Sequence, residues 1–354
     1  MVQSPLIKIS NRHIGDKYSP YIIAELSANH NGSLETALKL VEEAKASGAD
    51  AIKIQTYTPD TITLNSRTDD FLIKDGLWAG KTLYELYEEA HLPWNWHEPL
   101  YRRANELGIT IFSTPFDESA VDFLEELNTP AYKIASFEAI DLPLIRYVAG
   151  TGKPLIISTG MASFQEIGEA IEAAREGGCS ELAILYCVSG YPAASNEYNL
   201  RTLVDMRQRF GLVTGLSDHT IDNTTAIASI ALGARIIEKH FTLDRSGKGP
   251  DDSFSLEPED FSKLCKKASS AWETLGVVNY QQRSSEQENL KFRRSLYFIK
   301  DLLAGDMITA QDIRSIRPGF GMAPKNLPSL IGQSVSINTK SGTPVLPEHL
   351  TKIQ

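Results

Sequence analysis

The chain has 354 residues, 42% hydrophobic and 23% charged, an ordinary globular balance with room for one large domain and one small one. Lys and Arg number 35 against 45 Asp and Glu, a formal net charge of −10 with no long basic run. Nucleic acid is therefore not an expected partner, and an anionic ligand has to be held by a local cluster of donors rather than by the overall field. No apolar run reaches the roughly 18 residues that cross a bilayer, Met1 to Pro20 lacks the apolar core of a secretory signal, and Cys179, Cys187 and Cys265 are scattered, as suits reduced thiols. The expectation is a cytoplasmic protein without membrane contact.

In chain order, Ile7 and Ile9 alternate with polar neighbours and predict a short hairpin over Lys8–Ile14. Tyr21–Leu26 predicts a strand, Asn31-Gly32-Ser33 a turn and helix cap, and Leu34, Ala37, Leu38, Val41 and Ala44 recur at helical spacing up to Gly48. Ala51–Tyr57 predicts the next strand. The unit then repeats. Strands are expected at Ile109–Pro115, Ala131–Ser136, Pro154–Gly160, within Glu181–Tyr191, at Leu212–His219 and at Ala234–Phe241. Helices are expected at Trp96–Leu107, Glu118–Leu127, Leu142–Ala149, Phe164–Glu176, Leu200–Phe210, Thr224–Leu232 and Phe261–Leu275. Eight strand–helix pairs in about 250 residues predict a (β/α)8 TIM barrel. The rival, a doubly wound open sheet, usually needs fewer strands, and no Gly-x-Gly-x-x-Gly follows the first strand.

Pro59 to Pro93 is too long for a routine connection. Because it follows the second strand it belongs to the catalytic rim, as a lid, a substrate-facing insertion or plain decoration. Residues 279–290 are polar and aperiodic and read as a linker between a barrel domain, 1–278, and a small domain, 291–354, that is marginal on its own.

In a barrel the C-terminal strand ends face the active site. Those ends carry Glu25, Lys53 with Gln55, Thr114, Lys133 with Ser136, Ser158 with Thr159, Tyr186 with Ser189, Ser217 with His219, and Lys239 with His240. A lysine inside a buried strand is costly unless paired. Lys53 and Lys133 among hydroxyls suit a phosphate or carboxylate; structural ion pairs with Glu25 or Glu238, or a Schiff-base aldolase using one lysine, are the alternatives. His219 and His240 fall on adjacent strands, seven and eight. Two imidazoles without a cysteine do not make a closed structural zinc site and point to an open divalent site, with Mn²⁺ or a similar ion, unless they are core histidines. Glu25 is a general acid/base or a lysine's partner. Asp251, in the rim loop Lys248–Asp252, binds substrate hydroxyls or belongs to a solvated turn.

Together, Ile23-Ala24-Glu25 with Asn29-His30-Asn31-Gly32, Lys53-Ile54-Gln55, Tyr132-Lys133-Ile134-Ala135-Ser136, Ser158-Thr159-Gly160-Met161, Tyr191-Pro192, Ser217-Asp218-His219, Glu238-Lys239-His240-Phe241 and Gly249-Pro250-Asp251 resemble the sialic acid synthase family. The tail, with Ile316-Arg317-Pro318-Gly319 and Ile331-Gly332, resembles its antifreeze-like (SAF) domain. Gly76-Leu77-Trp78, the tract Thr82 to Tyr87 and Pro93-Trp94-Asn95-Trp96-His97 resemble the branch that makes pseudaminic acid. That resemblance implies condensation of phosphoenolpyruvate with the open-chain aldehyde of an acylamino sugar, 2,4-diacetamido-2,4,6-trideoxy-L-altrose, and water, giving pseudaminic acid and phosphate. The branches that make N-acetylneuraminic or legionaminic acid are the alternatives. It implies that His219 and His240 bind a divalent ion, Mn²⁺, with Mg²⁺ or Co²⁺ as substitutes. Glu25 is then the acid/base, working with Lys53 and Lys133. Those lysines, Thr114, Ser136, Ser158, Ser189 and Ser217 hold phosphoenolpyruvate, and Gln55, Glu138, Tyr186 and Asp251 face the sugar. Arg317 reaches the sugar site of a partner's barrel in a domain-swapped homodimer. An ice- or carbohydrate-binding protein is suggested by the tail alone, and the rim cluster argues against it.

Overall fold

The structure, a computed structural model, describes residues 4–351. It divides into two compact units, Met1–Gly276 and Val277–Gln354. The first begins with an antiparallel hairpin of β1 (Leu6–Ile9) and β2 (Arg12–Gly15). Eight parallel strands follow: β3 (Tyr21–Glu25), β4 (Ala51–Thr56), β5 (Thr110–Pro115), β6 (Tyr132–Ile134), β7 (Leu155–Ser158), β8 (Leu182–Cys187), β9 (Val213–Asp218) and β10 (Ile236–His240). They pair in sequence order, and β10 pairs with β3 to close the barrel.

Helices alternate with these strands: α1 (Leu34–Ser47), then α2 (Pro59–Ile62) and α3 (Leu83–Ala90) within the long insertion, α4 (His97–Leu107), α5 (Glu118–Glu126), α6 (Leu142–Ala149), α7 (Phe164–Glu176), α8 (Arg201–Phe210), α9 (Thr224–Ala231) and α10 (Pro258–Leu275). Their starts are set by local chemistry. Ser33 accepts from the Thr36 N–H at α1, Asp141 from Leu144 at α6, and Ser163 and Glu166 form a reciprocal capping box at α7. Gly48 ends α1 in the left-handed conformation, φ 97°. Among the described residues no helix is long and apolar enough to cross a membrane.

Strand periodicity separates two cores. Ile22, Ala24, Ile52, Ile54, Tyr132, Ile134, Leu155, Ile157, Leu182 and Ile184 face the helices. Tyr21, Ile23, Ala51, Phe112, Ala131, Ile156, Ala183, Leu185, Val213 and Ile236 fill the barrel's interior, joined by Ile7, Ile9 and Ile14 of the hairpin. The hairpin therefore plugs the N-terminal end of the barrel, and any cavity has to open at the other end.

In the second unit, Ser284–Phe292 forms an exposed 3-10 turn where the sequence reads as linker up to 290. Strands β11 (Ser295–Phe298) and β12 (Ile313–Ile316) pair antiparallel, and α11 (Leu327–Leu330) follows. Leu296, Phe298, Ile308, Ile313, Leu330, Val335 and Val345 form its separate core.

Candidate active site

Each inward strand position continues past the apolar interior into polar residues at the C-terminal end. Two residues beyond Ile23 is Glu25, beyond Ala51 is Lys53, beyond Ala131 is Lys133, beyond Ile156 is Ser158, and beyond Ile236 is Glu238. These groups line a cavity of about 330 Å³ together with Gln55, Ser136, Glu138, Ser217, His219, His240 and Asp251. The volume is in the range that encloses small-molecule ligands.

The lysines are paired. Lys53 Nζ lies 2.7 Å from Glu25 Oε2, donates to Thr114 Oγ1 at 3.1 Å and sits 3.9 Å from Glu238 Oε1. Lys133 Nζ is 3.5 Å from the same Glu238 oxygen, to which Ser217 Oγ donates at 3.1 Å. Burial pulls Lys53 down, but Glu238 and Glu25 outweigh it and hold its pKa above the usual value. Burial likewise opposes ionisation of Glu238, yet Lys133 and Lys53 together hold its carboxyl below the usual range. Glu25 goes the other way: burial raises its carboxyl despite Lys53. Gln55 Nε2 donates to Glu25 Oε1 at 2.7 Å and fixes its orientation. Burial pushes Glu138 up to about 7.

His219 and His240 face each other, ring centroids 5.4 Å apart. His219 Nδ1–H donates to the Val188 carbonyl at 2.8 Å, which leaves Nε2 as the free lone pair. His240 is held well below its ordinary pKa by burial, then by His219 and Lys53, so it is neutral; its Nδ1 is buried without a hydrogen-bond partner. Among the described residues no group of three or more His, Cys, Asp and Glu side chains could hold a metal ion. The donor set fits an open site in which two imidazoles are the protein's share and substrate or water oxygens complete the shell. Ser158 Oγ, Glu138 Oε2 and Glu238 Oε2 are also buried and without partners, all on the cavity wall. Such groups are costly unless a polar ligand meets them.

Asp251 is buried rather than part of a solvated turn. Its neighbour Asp252 accepts from Asn31 Nδ2 at 3.0 Å and the Gly249 N–H at 2.9 Å and so pins the loop. Asp251 Oδ2 accepts from Ser27 Oγ, and Ser27 accepts in turn from Gln55. Ser27 holds the left-handed φ of 46°, strained for a non-glycine residue and in keeping with a functional loop. Ser136 Oγ accepts from the Gly160 N–H at 3.1 Å; a Cβ at Gly160 would come within 2.8 Å of that oxygen, so the approach requires glycine.

Thr114, Thr159, Tyr186, Ser189, Lys239 and Arg317 are not among the residues that line the cavity. Tyr186 shares strand parity with Leu182 and Ile184 and packs in the helix-facing core; Cys187 takes the inward position instead. Tyr186 is therefore corrected from sugar contact to outer-layer packing. Thr114 lies behind Lys53 and supports its ammonium rather than a ligand. Ser189 stands near Cys187 Sγ, at 3.9 Å, and its hydroxyl lies beside Gly160 next to that of Ser136. Lys239 points outward onto Asp218, 2.8 Å away. Arg317 is exposed at the end of β12 in the second unit.

Several lining residues lie outside the strand ends used for the sequence reading. Ile62, Trp78, Leu86, Tyr87 and Ala90 come from the insertion after β4, which thereby forms part of the cavity wall. Trp78 Nε1 donates to the Pro250 carbonyl at 3.1 Å and ties the insertion to the loop that carries Asp251. Tyr191 packs its ring 4.4 Å from that of His219. Its place in the Tyr191-Pro192 motif was the one signal for it in the sequence.

Comparison with known proteins places these features. The NeuB family model matches residues 40–280 and the SAF domain model residues 293–351. A pseudaminic acid synthase of Campylobacter jejuni is 44% identical over 322 residues, 91% of this chain and 94% of the relative. The pseudaminic acid synthase of Helicobacter pylori is 41% identical over 334 residues, 94% and 98% of the two chains. Among solved structures, the N-acetylneuraminic acid (sialic acid) synthetase of Leptospira borgpetersenii, in complex with citrate, superposes with a TM-score of 0.73 at 30% identity over 82% of this chain and 96% of that one. A barrel closed in this order, with this polar end and these matches over more than half its length, makes the chain a member of the NeuB family, with a SAF domain following the barrel in the chain.

Proposed function

We propose that the protein condenses phosphoenolpyruvate with 2,4-diacetamido-2,4,6-trideoxy-L-altrose and water to give pseudaminic acid and phosphate. The observation that carries this reading is the juxtaposition of the Lys53–Lys133 cluster with the His219–His240 pair in one cavity, in a chain whose relatives at 41–44% identity bear the name pseudaminic acid synthase.

In this reading Lys53 and Lys133 hold the phosphate and carboxylate of phosphoenolpyruvate, with Ser136, Ser158 and Ser217 donating beside them. Ser158 Oγ gains the partner it lacks in the protein alone. The ammonium state of Lys53 supports charge recognition over Schiff-base chemistry. A divalent ion held by His219 and His240, Mn²⁺ with Mg²⁺ or Co²⁺ as substitutes, would supply Lewis-acid polarisation of the sugar aldehyde. Carbon 3 of phosphoenolpyruvate attacks the aldehyde carbon, water adds at carbon 2, and the C–O bond to phosphate breaks. One proton is needed on the forming hydroxyl and one leaves the water as it adds; the proton of the resulting carbon 2 hydroxyl departs with phosphate as the ketone forms. Glu25, with its raised carboxyl and its orientation fixed by Gln55, gives the first and takes the second. Gln55, Glu138 and Asp251 offer donors and acceptors to the sugar.

The homodimer expected from the resemblance is part of this proposal, with Arg317 supplied to the sugar site of a partner's barrel; sedimentation equilibrium giving a monomer would remove it. Incubation with phosphoenolpyruvate, Mn²⁺ and the sugar should release phosphate together with a nine-carbon 2-keto acid detected by mass. Release with N-acetylmannosamine alone would move the protein to another branch of the family.

A further inference from the structure

The cavity's lining divides by chemistry according to which element supplies it. Strand ends and the loops that follow them supply the charged groups and the serines. The insertion supplies Ile62, Leu86, Tyr87 and Ala90, and these meet Tyr57 and Phe116. Tyr87 packs edge-on against Tyr57 with centroids 5.7 Å apart, and Tyr57 edge-on against Phe116 at 5.0 Å. The result is an aromatic run on the side of the cavity that Ile62, Leu86 and Ala90 also line.

That wall is held in place. Thr82 and Glu85 form a reciprocal capping box at the start of α3, with bonds of 3.1 and 2.9 Å. At its other end His30, from the loop after β3, bonds the Ala90 carbonyl at 3.3 Å. Trp94 Nε1 donates to the Tyr57 carbonyl at 3.3 Å. The capping box fixes the helix's own first turn, and the His30 bond ties its last turn to the loop after β3, beside the cavity.

Phosphoenolpyruvate offers this wall almost nothing, since its carboxylate and phosphate belong with the lysines. The remaining apolar matter is on the sugar. We infer that Ile62, Leu86, Tyr87 and Ala90 are specificity-determining residues that receive the methyl-bearing end of the sugar, its deoxy terminus and acylamino methyl, and disfavour a hydroxylated counterpart. This rests on the function proposed above and deepens it. A hydroxymethyl group placed against the Ile62, Leu86 and Ala90 side chains would lose its water and find only carbon on them, whereas a methyl group gains contact.

Ile62 and Ala90 are half-buried, so Ile62→Thr and Ala90→Ser put a hydroxyl on the wall with little demand on folding. The quantity to measure is the ratio of kcat/KM for 2,4-diacetamido-2,4,6-trideoxy-L-altrose to that for N-acetylmannosamine, with KM for phosphoenolpyruvate as the internal reference. The wild type should favour the deoxy sugar. Each variant should lower the ratio about tenfold, through the sugar's KM, while KM for phosphoenolpyruvate is unchanged and Ile62→Val retains most of the preference. A wild-type preference for N-acetylmannosamine, an unchanged ratio in both variants, or an equal loss on both sugars overturns the wall's role and leaves the condensation standing. No turnover of either sugar by the wild type overturns both.

Discussion

The two ends of the barrel use the same eight strands and opposite chemistry. At the N-terminal end Ile23, Ala51, Ala131, Ile156 and Ile236 pack against Ile7, Ile9 and Ile14 of the hairpin and exclude water. One strand repeat further on, the same inward column holds Glu25, Lys53, Lys133, Ser158 and Glu238. The first layer is a source of stability. The second leaves buried side-chain atoms without hydrogen-bond partners, among them Ser158 Oγ, Glu138 Oε2, Glu238 Oε2 and His240 Nδ1, and is a cost the first has to cover. Apolar packing at one end thus allows preorganised charge at the other.

The largest expected effect comes from breaking the polar end. Lys133→Ala should remove activity and destabilise the protein by ~3–5 kcal/mol in urea denaturation, because it strips a buried carboxylate, Glu238, of its nearest cation. Replacing both partners, Lys133→Met with Glu238→Leu, should return most of that stability and none of the activity; a double variant as unstable as the single one would show that packing, not charge, is at stake. Phe112→Ala, at the apolar end, should cost a similar ~3–5 kcal/mol through the cavity it leaves, with kcat/KM of the folded fraction close to wild type. A large fall in kcat/KM there would merge the two layers into one functional unit.

A smaller effect concerns pH. Burial raises the Glu138 carboxyl from 4.5 to about 7, so the fold favours its protonated form. The stability this gives is complete below the ordinary carboxylate pKa and is lost as pH rises through 7. Glu138→Gln should therefore be more stable than wild type at pH 8, by on the order of 2 kcal/mol, and equal to it at pH 4. Equal melting at both pH values would contradict the raised carboxyl. The smallest effect is at the tie between insertion and rim. Trp78→Phe keeps an aromatic ring and loses the bond to the Pro250 carbonyl, and should raise the sugar's KM roughly three- to tenfold with kcat little changed. A kcat loss with KM unchanged would assign Trp78 to the chemistry instead.

The barrel was legible because its helices alternate with strands at regular spacing, and Lys53 with Gln55, two apart in an apolar run, announced an inward face. Glu238 was visible only as a possible lysine partner, although its parity with His240 puts it on the same face. Tyr186 was misplaced for a physical reason. A parallel strand buried on both sides has no polar–apolar alternation, so Leu182 to Cys187 does not say which set points inward. Ser189 lies past the strand's end, where parity no longer holds, so the strand pattern does not say which way it points. The insertion's wall was illegible because nothing in a connecting segment relates Leu86 and Tyr87 to the barrel axis; that they reach the cavity is a property of the fold alone.

The central claim is that the polar end of the barrel performs the condensation with Glu25 as its acid and base. Glu25→Gln keeps the size and the bond to Gln55 and removes the proton transfer. With phosphoenolpyruvate, Mn²⁺ and 2,4-diacetamido-2,4,6-trideoxy-L-altrose, wild type should release one phosphate per nine-carbon keto acid, and a folded Glu25→Gln protein should release it ~10²–10⁴ times more slowly. Release by the variant at the wild-type rate, or none by the wild type, would contradict the account.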